Sequence, residues 1–527
     1  FFYAYKNSND IIKSLEVISA TMANKSLLAS VLFLTLPFIF YVFYFASNYW
    51  KIFVAFIFSL ILICLVFIHS KVTLLALLTS LIVISFFILK KHKIIFFSTL
   101  TFVFLLLFSV LFFNSTLSQQ FYNEINQLKM KKERFENNRL VENDARIALY
   151  SNTMKMIKHN FFYGVGPGNW KVEFPKYGLT NTVGKSGRKI AQRPHSDFLW
   201  YFSESGIFAA IFYLLFFFFV LYEVLLLFIK TKTKRKYFFL IIFSIIFGYF
   251  VISLFDYPSE RLSHNFLFSI LISIIISEKL RLKPYYFIYN KIIFFISTIF
   301  LCLFLCFSYC KYHNDKQMTY VSNFKESEKW DKMLLHLDKL YFTSLFSLDN
   351  TSTPIKWYYG IYYYYQNDMN KAYDYFKEAY KINQFHLHVL NNLATCYAFK
   401  NNYFLAKKIY KKALNISSGF EEAALNLAII HSAENKNEIA LDILLDVHNF
   451  NLIKSDILSK MYISYFKEIL LKLIKKELVD INYDNLAKNN IFVSSDKEDS
   501  FKQIKDISWM RKEKNMTFKQ IIKKLDI

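Results

Sequence analysis

Eight long apolar runs dominate the sequence and decide what kind of protein it can form. They lie at roughly 27–47, 52–68, 72–89, 94–113, 205–229, 237–255, 264–278 and 292–310. Most of them have about 17–25 residues, the length that a helix needs to cross about 30 Å of hydrocarbon. Because backbone polar groups cannot be hydrated inside a bilayer, each run is expected to be a helix. The sequence therefore predicts an all-α fold that begins with a polytopic bundle of transmembrane helices.

Composition and charge exclude several classes of soluble protein. Of the 527 residues, 54% are hydrophobic and 20% aromatic, more than an ordinary soluble domain contains. The formal net charge is +24, but the Lys and Arg residues are spread over membrane-flanking loops and helical repeats. This distribution favours anionic membrane lipids over nucleic acid as the partner. The five cysteines form no CxxC pair and no metal-ligand spacing, so no metal site is predicted.

Clusters of basic residues indicate how the helices are oriented. Three short loops are basic: the first has Lys90, Lys91 and Lys93, the second spans 230–236, and the third has Lys279, Arg281, Lys283 and Lys291. The positive-inside rule assigns these loops to the cytoplasm. The outer, periplasmic side then holds residues 1–26, 69–71, 114–200, 256–263 and everything after 310. We therefore expect a multi-pass protein of a bacterial inner membrane, with a large periplasmic loop at 114–200.

A different period governs the sequence after residue 310. Segments 353–386, 387–420 and 421–454 align with a 34-residue repeat in which small residues recur. The first aligned sets are Gly360, Ala394 and Ala428, then Ala372, Ala406 and Ala440. This pattern resembles tetratricopeptide repeats and predicts an α-solenoid of helix hairpins over 311–480, a possible docking domain for a protein partner. The remaining residues, 481–527, are predicted to be a charged, weakly ordered tail.

Ionisable residues are concentrated outside the apolar runs. Those expected on the outer side are Lys71, Arg146, Arg193, His195, Asp197, Glu204, Arg261 and His264. Transporters and channels usually carry ionisable groups at mid-membrane depth, where only Glu223 qualifies. Its position near Lys230 favours contact with water or with a basic neighbour. The distribution thus argues against a transporter.

Cations at the outer membrane face suit a lipid diphosphate, because Arg and Lys donate charge-assisted hydrogen bonds to phosphate oxygens. His195 has the chemistry to take a proton from an attacking hydroxyl, with Asp197 or Glu204 to orient it. A purely structural alternative is equally compatible with the spacing. In that alternative Ser196 and Asp197 cap the following helix and His195 is an interface residue.

Two motifs follow each other along the chain, "GVGPGNW" (164–170) and "RPHSDFLWYFSESGIFA" (193–209). They resemble the Gly-rich turn and the His-Ser/Asn-Asp element of the O-antigen ligase family. Three further segments agree in order: "TMANKSLLASVLFLTLP" (21–37), "HSKVTLLAL" (69–77) and "DYPSERLSHN" (256–265). The combination is more specific than any one of these motifs.

The resemblance covers residues 10–310, and the family has more helices ahead of this region. Together with Phe1 in place of Met, this predicts that the front end of the chain is missing. Two positions differ from the family pattern. Ser26 stands where Asn is common, and Lys71 stands where Arg is common, so Lys71 lacks the bidentate fork of a guanidinium.

The resemblance implies a glycosyl transfer that needs no nucleotide, metal or other cofactor. A glycan on undecaprenyl diphosphate would move to an acceptor, with the lipid diphosphate as leaving group. Carried onto this chain, His195 would be the general base or would orient the acceptor, and Asp197 and Glu204 would orient His195 or hold the helix entrance. The diphosphate would be bound by Arg146, Arg193, Arg261 and Lys71. The loop over the glycan would be shaped by Gly164, Gly166, Gly168 and Asn169.

The family likeness leaves the acceptor open. Transfer to the lipid A core would make the protein a lipopolysaccharide O-antigen ligase, and transfer to a protein hydroxyl a protein O-oligosaccharyltransferase. An O-antigen polymerase, which adds glycan to glycan, is a related alternative. A membrane-anchored repeat scaffold without catalytic activity is an alternative of a different class.

Overall fold

The computed structural model describes residues 25–68, 70–88, 143–179, 191–233, 235–282, 291–448 and 456–477, with isolated residues between 507 and 521. In these parts of the chain all regular structure is helical and no β-strand is present, so the all-α prediction is confirmed. The helices are α1 Lys25–Phe45, α2 Asn48–Ile68, α3 Lys71–Ile88, α4 Asn143–His159, α5 Trp170–Glu173, α6 Asp197–Lys230, α7 Lys236–Phe255, α8 Leu262–Leu282, α9 Lys291–Glu326, α10 Trp330–Leu337, α11 Ile355–Tyr365, α12 Met369–Ile382, α13 Leu387–Phe399, α14 Tyr403–Ile416, α15 Glu421–Ala433, α16 Asn437–His448 and α17 Asp456–Glu477.

Six of the described helices are long and apolar enough to cross a membrane. They are α1, α2, α6, α7, α8 and α9, and α3 is a shorter apolar helix. Seven of the eight predicted spans thus fall on apolar helices, whereas the run at 94–113 lies outside the described residues. The chain divides into two compact units. The first holds 1–141, 157–167 and 193–288, and the second holds 142–156, 168–192 and 289–527.

Small residues let α3 and α7 approach each other closely in the first unit. The Ser80 hydroxyl donates a 2.8 Å hydrogen bond to the Ser244 carbonyl across this contact. A Cβ atom on Gly248 would lie 2.5 Å from the Ser80 hydroxyl and 2.5 Å from the Phe33 ring. Small residues of this kind are typical where membrane helices pack without a hydrophobic driving force between them.

Glu223 has a basic neighbour in the folded unit. Its carboxylate accepts a 2.6 Å hydrogen bond from Lys279, which joins the carboxyl-terminal halves of α6 and α8. The expectation that Glu223 finds a basic partner is therefore confirmed. Its charge is balanced by a structural ion pair, so it offers no support for a transport pathway.

Three consecutive helix hairpins follow in the second unit: α11–α12, α13–α14 and α15–α16. Their turns repeat at Asn367, Asn401 and Asn435, each with φ between 60° and 63°. Asparagine tolerates this left-handed conformation better than most residues. The turns lie 34 residues apart, so the helices recur with the period seen in the sequence. Assignment to the tetratricopeptide class stays a prediction.

The small residues of the repeat lie where two helices touch. A Cβ atom on Gly360 of α11 would lie 2.5 Å from the Phe376 ring of α12. Ala394 and Ala428 are fully buried at the equivalent positions of the next two hairpins. The last hairpin is covered by α17, whose Tyr462 is fully buried. Three residues from the carboxyl-terminal tail, Ile507, Met510 and Ile521, are buried in the same cluster.

A buried histidine should make the first two hairpins weaker in acid. His386 precedes α13, its Nε2 lies 3.3 Å from the Thr353 hydroxyl, and burial, with smaller effects of His388 and Lys325, lowers its pKa to about 3. The unfolded chain takes up a proton near pH 6.5 and the folded chain does not. The free energy of unfolding is therefore highest above pH 6.5 and falls as the pH drops toward 3, by up to about 2 kcal/mol between pH 7 and pH 5.

Hydrogen exchange of α11 to α13, corrected for the intrinsic rate, measures this change. A His386→Leu variant should flatten it, and an equal slope in that variant would contradict the assignment.

Candidate functional site

The Gly-rich loop is hydrogen-bonded to a break in α6. Gly206 adopts φ 75° and ψ −170°, which interrupts the helix after its first two turns. Ile207 therefore donates its N–H to the Phe161 carbonyl (2.9 Å) instead of continuing the helical ladder. The carbonyl of Ser203 is satisfied by the N–H of Val165 (2.9 Å). The loop thus supplies the backbone partners that the break removes.

Two glycines allow this close approach. A Cβ atom on Gly164, which has φ 68°, would overlap the backbone carbonyl of Glu204. A Cβ atom on Gly206 would overlap the carbonyl of Phe162. The N–H of Gly166 donates to the Glu204 carbonyl at 2.8 Å. These positions need glycine for conformation and for space together.

The next residues of the loop belong to the second unit. Gly168 also has a positive φ, 77°, but a Cβ atom there would meet nothing within 4 Å. The Asn169 carbonyl accepts hydrogen bonds from the N–H groups of Val172 (3.0 Å) and Glu173 (2.9 Å) at the start of α5. Trp170 is fully buried and donates from Nε1 to the Thr153 hydroxyl at 3.2 Å. Asn169 and Trp170 therefore fix the end of the loop, and Gly168 adds its left-handed conformation.

The first turn of α6 is fixed by two side chains with different partners. Ser196 is the N-cap, and its hydroxyl accepts from the Leu199 N–H at 3.3 Å, which confirms its predicted capping role. Asp197 is 1% exposed, and its carboxylate accepts hydrogen bonds from the N–H (3.0 Å) and hydroxyl (2.7 Å) of Ser259. The Asp197 N–H donates to the Asp256 carbonyl at 3.1 Å. Asp197 therefore ties the start of α6 to the loop between α7 and α8.

Tyr257, in that same loop, brings three of the predicted site residues together. Its ring is buried, and the His195 ring meets it edge-on with centroids 5.0 Å apart. The guanidinium carbons of Arg193 and Arg261 lie 4.7 Å and 5.4 Å from the centre of the same ring. Both distances are within the range of cation–π attraction. One aromatic side chain thus gathers two guanidinium groups and an imidazole at one end of the helices.

His195 has an uncommon backbone conformation. Its φ is 57°, in the left-handed region that residues with a Cβ atom rarely adopt. Such a conformation costs about 1 kcal/mol or more and persists only where the surroundings fix it. Here His195 lies between the buried Pro194 and the N-cap Ser196.

The two arginines differ in their electrostatic partners. Arg193 forms an ion pair with Glu260. The Nε of Arg261 is buried and has no hydrogen-bond partner in the described part of the chain. Buried N–H groups are nearly always paired in folded proteins. Arg261 therefore offers an unused donor to an anionic oxygen. The Arg193 guanidinium would divide its hydrogen bonds between such an oxygen and Glu260.

The remaining predicted site residues lie on three different helices. Glu204 is half-buried at the loop contact, next to the break in α6. Lys71 is the exposed first residue of α3, where the Ser70 hydroxyl accepts from the Thr73 N–H at 3.4 Å. Arg146 is exposed on α4 and belongs to the second unit. Over the described ranges, no group of three or more His, Cys, Asp or Glu side chains is arranged to hold a metal ion.

Two contributors had no role predicted from the sequence. Tyr257 gave no signal beyond its place in the segment that carries Arg261. His264 is fully buried, and its Nε2 lies 2.6 Å from the Ser30 hydroxyl, which joins the first turns of α8 and α1. The Ser30 hydroxyl also donates to the Leu27 carbonyl at 3.0 Å. Hydrogen bonds between residues 234 positions apart leave no trace in spacing.

Several helices are apolar and long enough to span a membrane. Arginine and histidine side chains are gathered where three of these helices begin or end. These features define a multi-pass membrane protein with a cationic polar site. Residues 56–214 match the family model described as O-antigen ligase. This segment is therefore similar to the O-antigen ligase domain, which supports a relation to membrane glycan-transferring proteins. The match includes the Gly-rich loop, Arg193 and His195, and it ends before Tyr257 and Arg261. No curated protein matches the chain.

Proposed function

We propose that this protein transfers a glycan from undecaprenyl diphosphate to an acceptor hydroxyl at the periplasmic face of a bacterial inner membrane. The observation that carries the proposal is the arrangement of Arg193, Arg261 and His195 around Tyr257. It lies at the ends of helices that are apolar enough to surround a polyprenyl chain. A lipid diphosphate suits such a site because its charge stays at head-group level while its tail lies in hydrocarbon.

The arginines would stabilise the leaving group. As the bond between the anomeric carbon and the diphosphate oxygen breaks, negative charge grows on the diphosphate, and guanidinium donors bind it more strongly than the less charged diester of the donor. The unpartnered Nε of Arg261 supports this role. Arg193 would exchange part of its contact with Glu260 for a phosphate oxygen when the donor binds. Lys71 remains a candidate for a further diphosphate contact.

His195 would act on the acceptor. Its imidazole takes the proton of the acceptor hydroxyl while that oxygen forms the new bond to the anomeric carbon. The electron pair of the old bond leaves with the diphosphate, so the only proton moved is the one held by His195. Asp197 would serve as a positioning residue, since its bonds to Ser259 hold the Tyr257 loop beside α6. Glu204 and the glycine loop would shape the wall on the glycan side.

The repeat hairpins favour a role in partner or acceptor recruitment. We propose that they lie in the periplasm, where the loop charges also place the outer ends of the helices. A lipid A core acceptor would make the protein a lipopolysaccharide ligase, and a protein acceptor would make it an O-oligosaccharyltransferase. Helical repeats bind peptides in many settings. That property supports the protein acceptor without excluding the glycolipid.

A pair of Tyr257 variants tests the proposal. Tyr257→Phe keeps the ring that faces both arginines and His195, and it should retain transfer within a few-fold of the parent. Tyr257→Leu removes the ring, loses two cation–π contacts of about 0.5–2 kcal/mol each, and should lower transfer by about 10-fold or more. The assay uses protein in liposomes with lipid-linked glycan, and offers lipid A core and an unfolded protein as alternative acceptors. Equal activity of the two variants would count against the Tyr257 cluster, and failure of transfer to every acceptor would count against the function.

A further inference from the structure

The apolar part of α9 ends at a defined level. Side chains 292–307 are all exposed within their unit, and burial first appears at Cys310. A stretch of 19 residues from Ile292 to Cys310 is about 28 Å long at about 1.5 Å per residue, close to the thickness of a bilayer's hydrocarbon. The carboxyl-terminal boundary of the hydrocarbon therefore lies near Cys310.

Aromatic residues surround this boundary on α9 itself. Phe307, Tyr309 and Tyr312 are exposed at 49%, 62% and 66%. Tyrosine is enriched at membrane–water interfaces because its ring is apolar and its hydroxyl is hydrated. Their position agrees with the boundary that follows from the length of the apolar stretch.

A second segment carries exposed apolar side chains next to this boundary. The loop 340–348, "LYFTSLFSL", contains nine residues without a charge. Within it Tyr341, Phe342 and Leu345 are 44%, 66% and 65% exposed. Clustered exposure of this kind is unfavourable in water and marks an interaction surface. We call this loop the 340s loop.

Hydrogen bonds fix the 340s loop at the depth of the boundary. The Asn314 side chain, buried on α9, donates to the Tyr341 carbonyl and accepts from the Tyr341 N–H, both at 2.8 Å. The His313 ring stacks on the Tyr341 ring with centroids 4.4 Å apart. The Phe346 ring meets Phe307, inside the apolar stretch, at 5.0 Å. The loop therefore spans the levels of residues 307 to 314 of α9.

The backbone of the loop suits an interfacial position. The N–H groups of Leu345 and Phe346 both donate to the Phe342 carbonyl, at 2.8 and 2.9 Å. Phe342 has φ 47°, which closes this turn and keeps the side chain at its tip. A turn that satisfies its own polar groups can enter the interface with a smaller desolvation penalty than an open loop.

We propose that the 340s loop inserts into the bilayer interface beside α9 and anchors the helix hairpins that follow it. Its partner is the boundary between lipid head groups and acyl chains. α9 alone leaves the hairpins free to tilt about the point where the helix leaves the hydrocarbon. A second contact with the bilayer, made by a loop that Asn314 and Phe346 hold against α9, limits that tilt and sets the face that the repeats turn toward the membrane.

Tryptophan substitution in nanodiscs tests this proposal without any transfer assay. Phe342→Trp places an indole at the tip of the turn, and Phe399→Trp is a matched control because Phe399 is equally exposed (63%) at the end of α13. The emission that each variant adds to the parent protein is measured with ordinary lipids and with lipids brominated near the carbonyl end of the chain. We expect the emission added by Phe342→Trp to be blue-shifted and mostly quenched, and that added by Phe399→Trp to be unchanged by bromine.

Leu345→Trp is a second probe of the same turn, and it covers the possibility that Phe342→Trp fails to fold. It should also be quenched. Emission from both turn variants at the wavelength of hydrated indole, without quenching, would overturn the proposal. Equal quenching of Phe399→Trp would overturn it as well, because the 340s loop would then have no special position. An inactive transferase would leave these results unaffected.

Discussion

Replacing His195 by asparagine should reduce glycan transfer by about 10²–10⁴-fold, the contribution typical of a general base. Asparagine is the informative substitution because His195 has φ 57°, and asparagine adopts left-handed backbone at little cost. The variant should reach the membrane in normal amount, since the hydrogen bonds of Ser196 and Asp197 that fix the start of α6 do not involve the imidazole. Initial rates with lipid-linked glycan measure the loss.

His195→Ala should also abolish transfer, and it keeps the backbone strain of about 1 kcal/mol that asparagine largely relieves, so a comparison of the two variants separates chemistry from conformation. His336→Asn is the matched control, because His336 pairs with Gln317 in the second unit and has no proposed part in the reaction. It should retain full activity. Full activity of His195→Asn would remove His195 from the mechanism.

Replacing Gly164 by alanine should destabilise the first unit by about 3 kcal/mol or more, because left-handed strain is added to overlap with backbone that cannot rotate away. The overlapping atoms are the carbonyl group of Glu204 and the N–H of Ser205. Moving them would break the hydrogen bonds of Val165 and Gly166 that compensate the break in α6. Transfer should fall together with stability.

Gly168→Ala provides the control, since Gly168 has a similar φ of 77° and open space where the methyl group would lie. Only the backbone strain remains there, about 1 kcal/mol. Thermal unfolding in detergent and the half-life of transfer activity at a raised temperature measure both variants. Similar losses in the two variants would mean that the close contact with α6 contributes nothing to stability.

Hydrophobic length predicted most of the membrane helices but misplaced the start of one. The apolar run at 205–229 predicts a span, and the helix begins at Asp197, eight residues earlier. Residues 197–204 include the polar residues Asp197, Ser203 and Glu204, so they do not extend the apolar run. They are helical because Ser196 caps the first turn and because Ser259 satisfies the buried Asp197. The break at Gly206 could not be predicted either, because a single glycine within an apolar run does not indicate its own φ.

The sequence by itself determined the class of the protein, the approximate spans, the 34-residue repeat and the family motifs around His195. These properties depend on local composition and spacing, because transfer into hydrocarbon and helix periodicity act on neighbouring residues. Only the tertiary structure decided that Tyr257 gathers Arg193, Arg261 and His195, and that His264 binds Ser30. Apart from the Tyr257–Arg261 contact, which joins residues four positions apart, those contacts join residues 62 to 234 positions apart. Helix packing alone fixes which of many polar side chains meet at the end of the bundle.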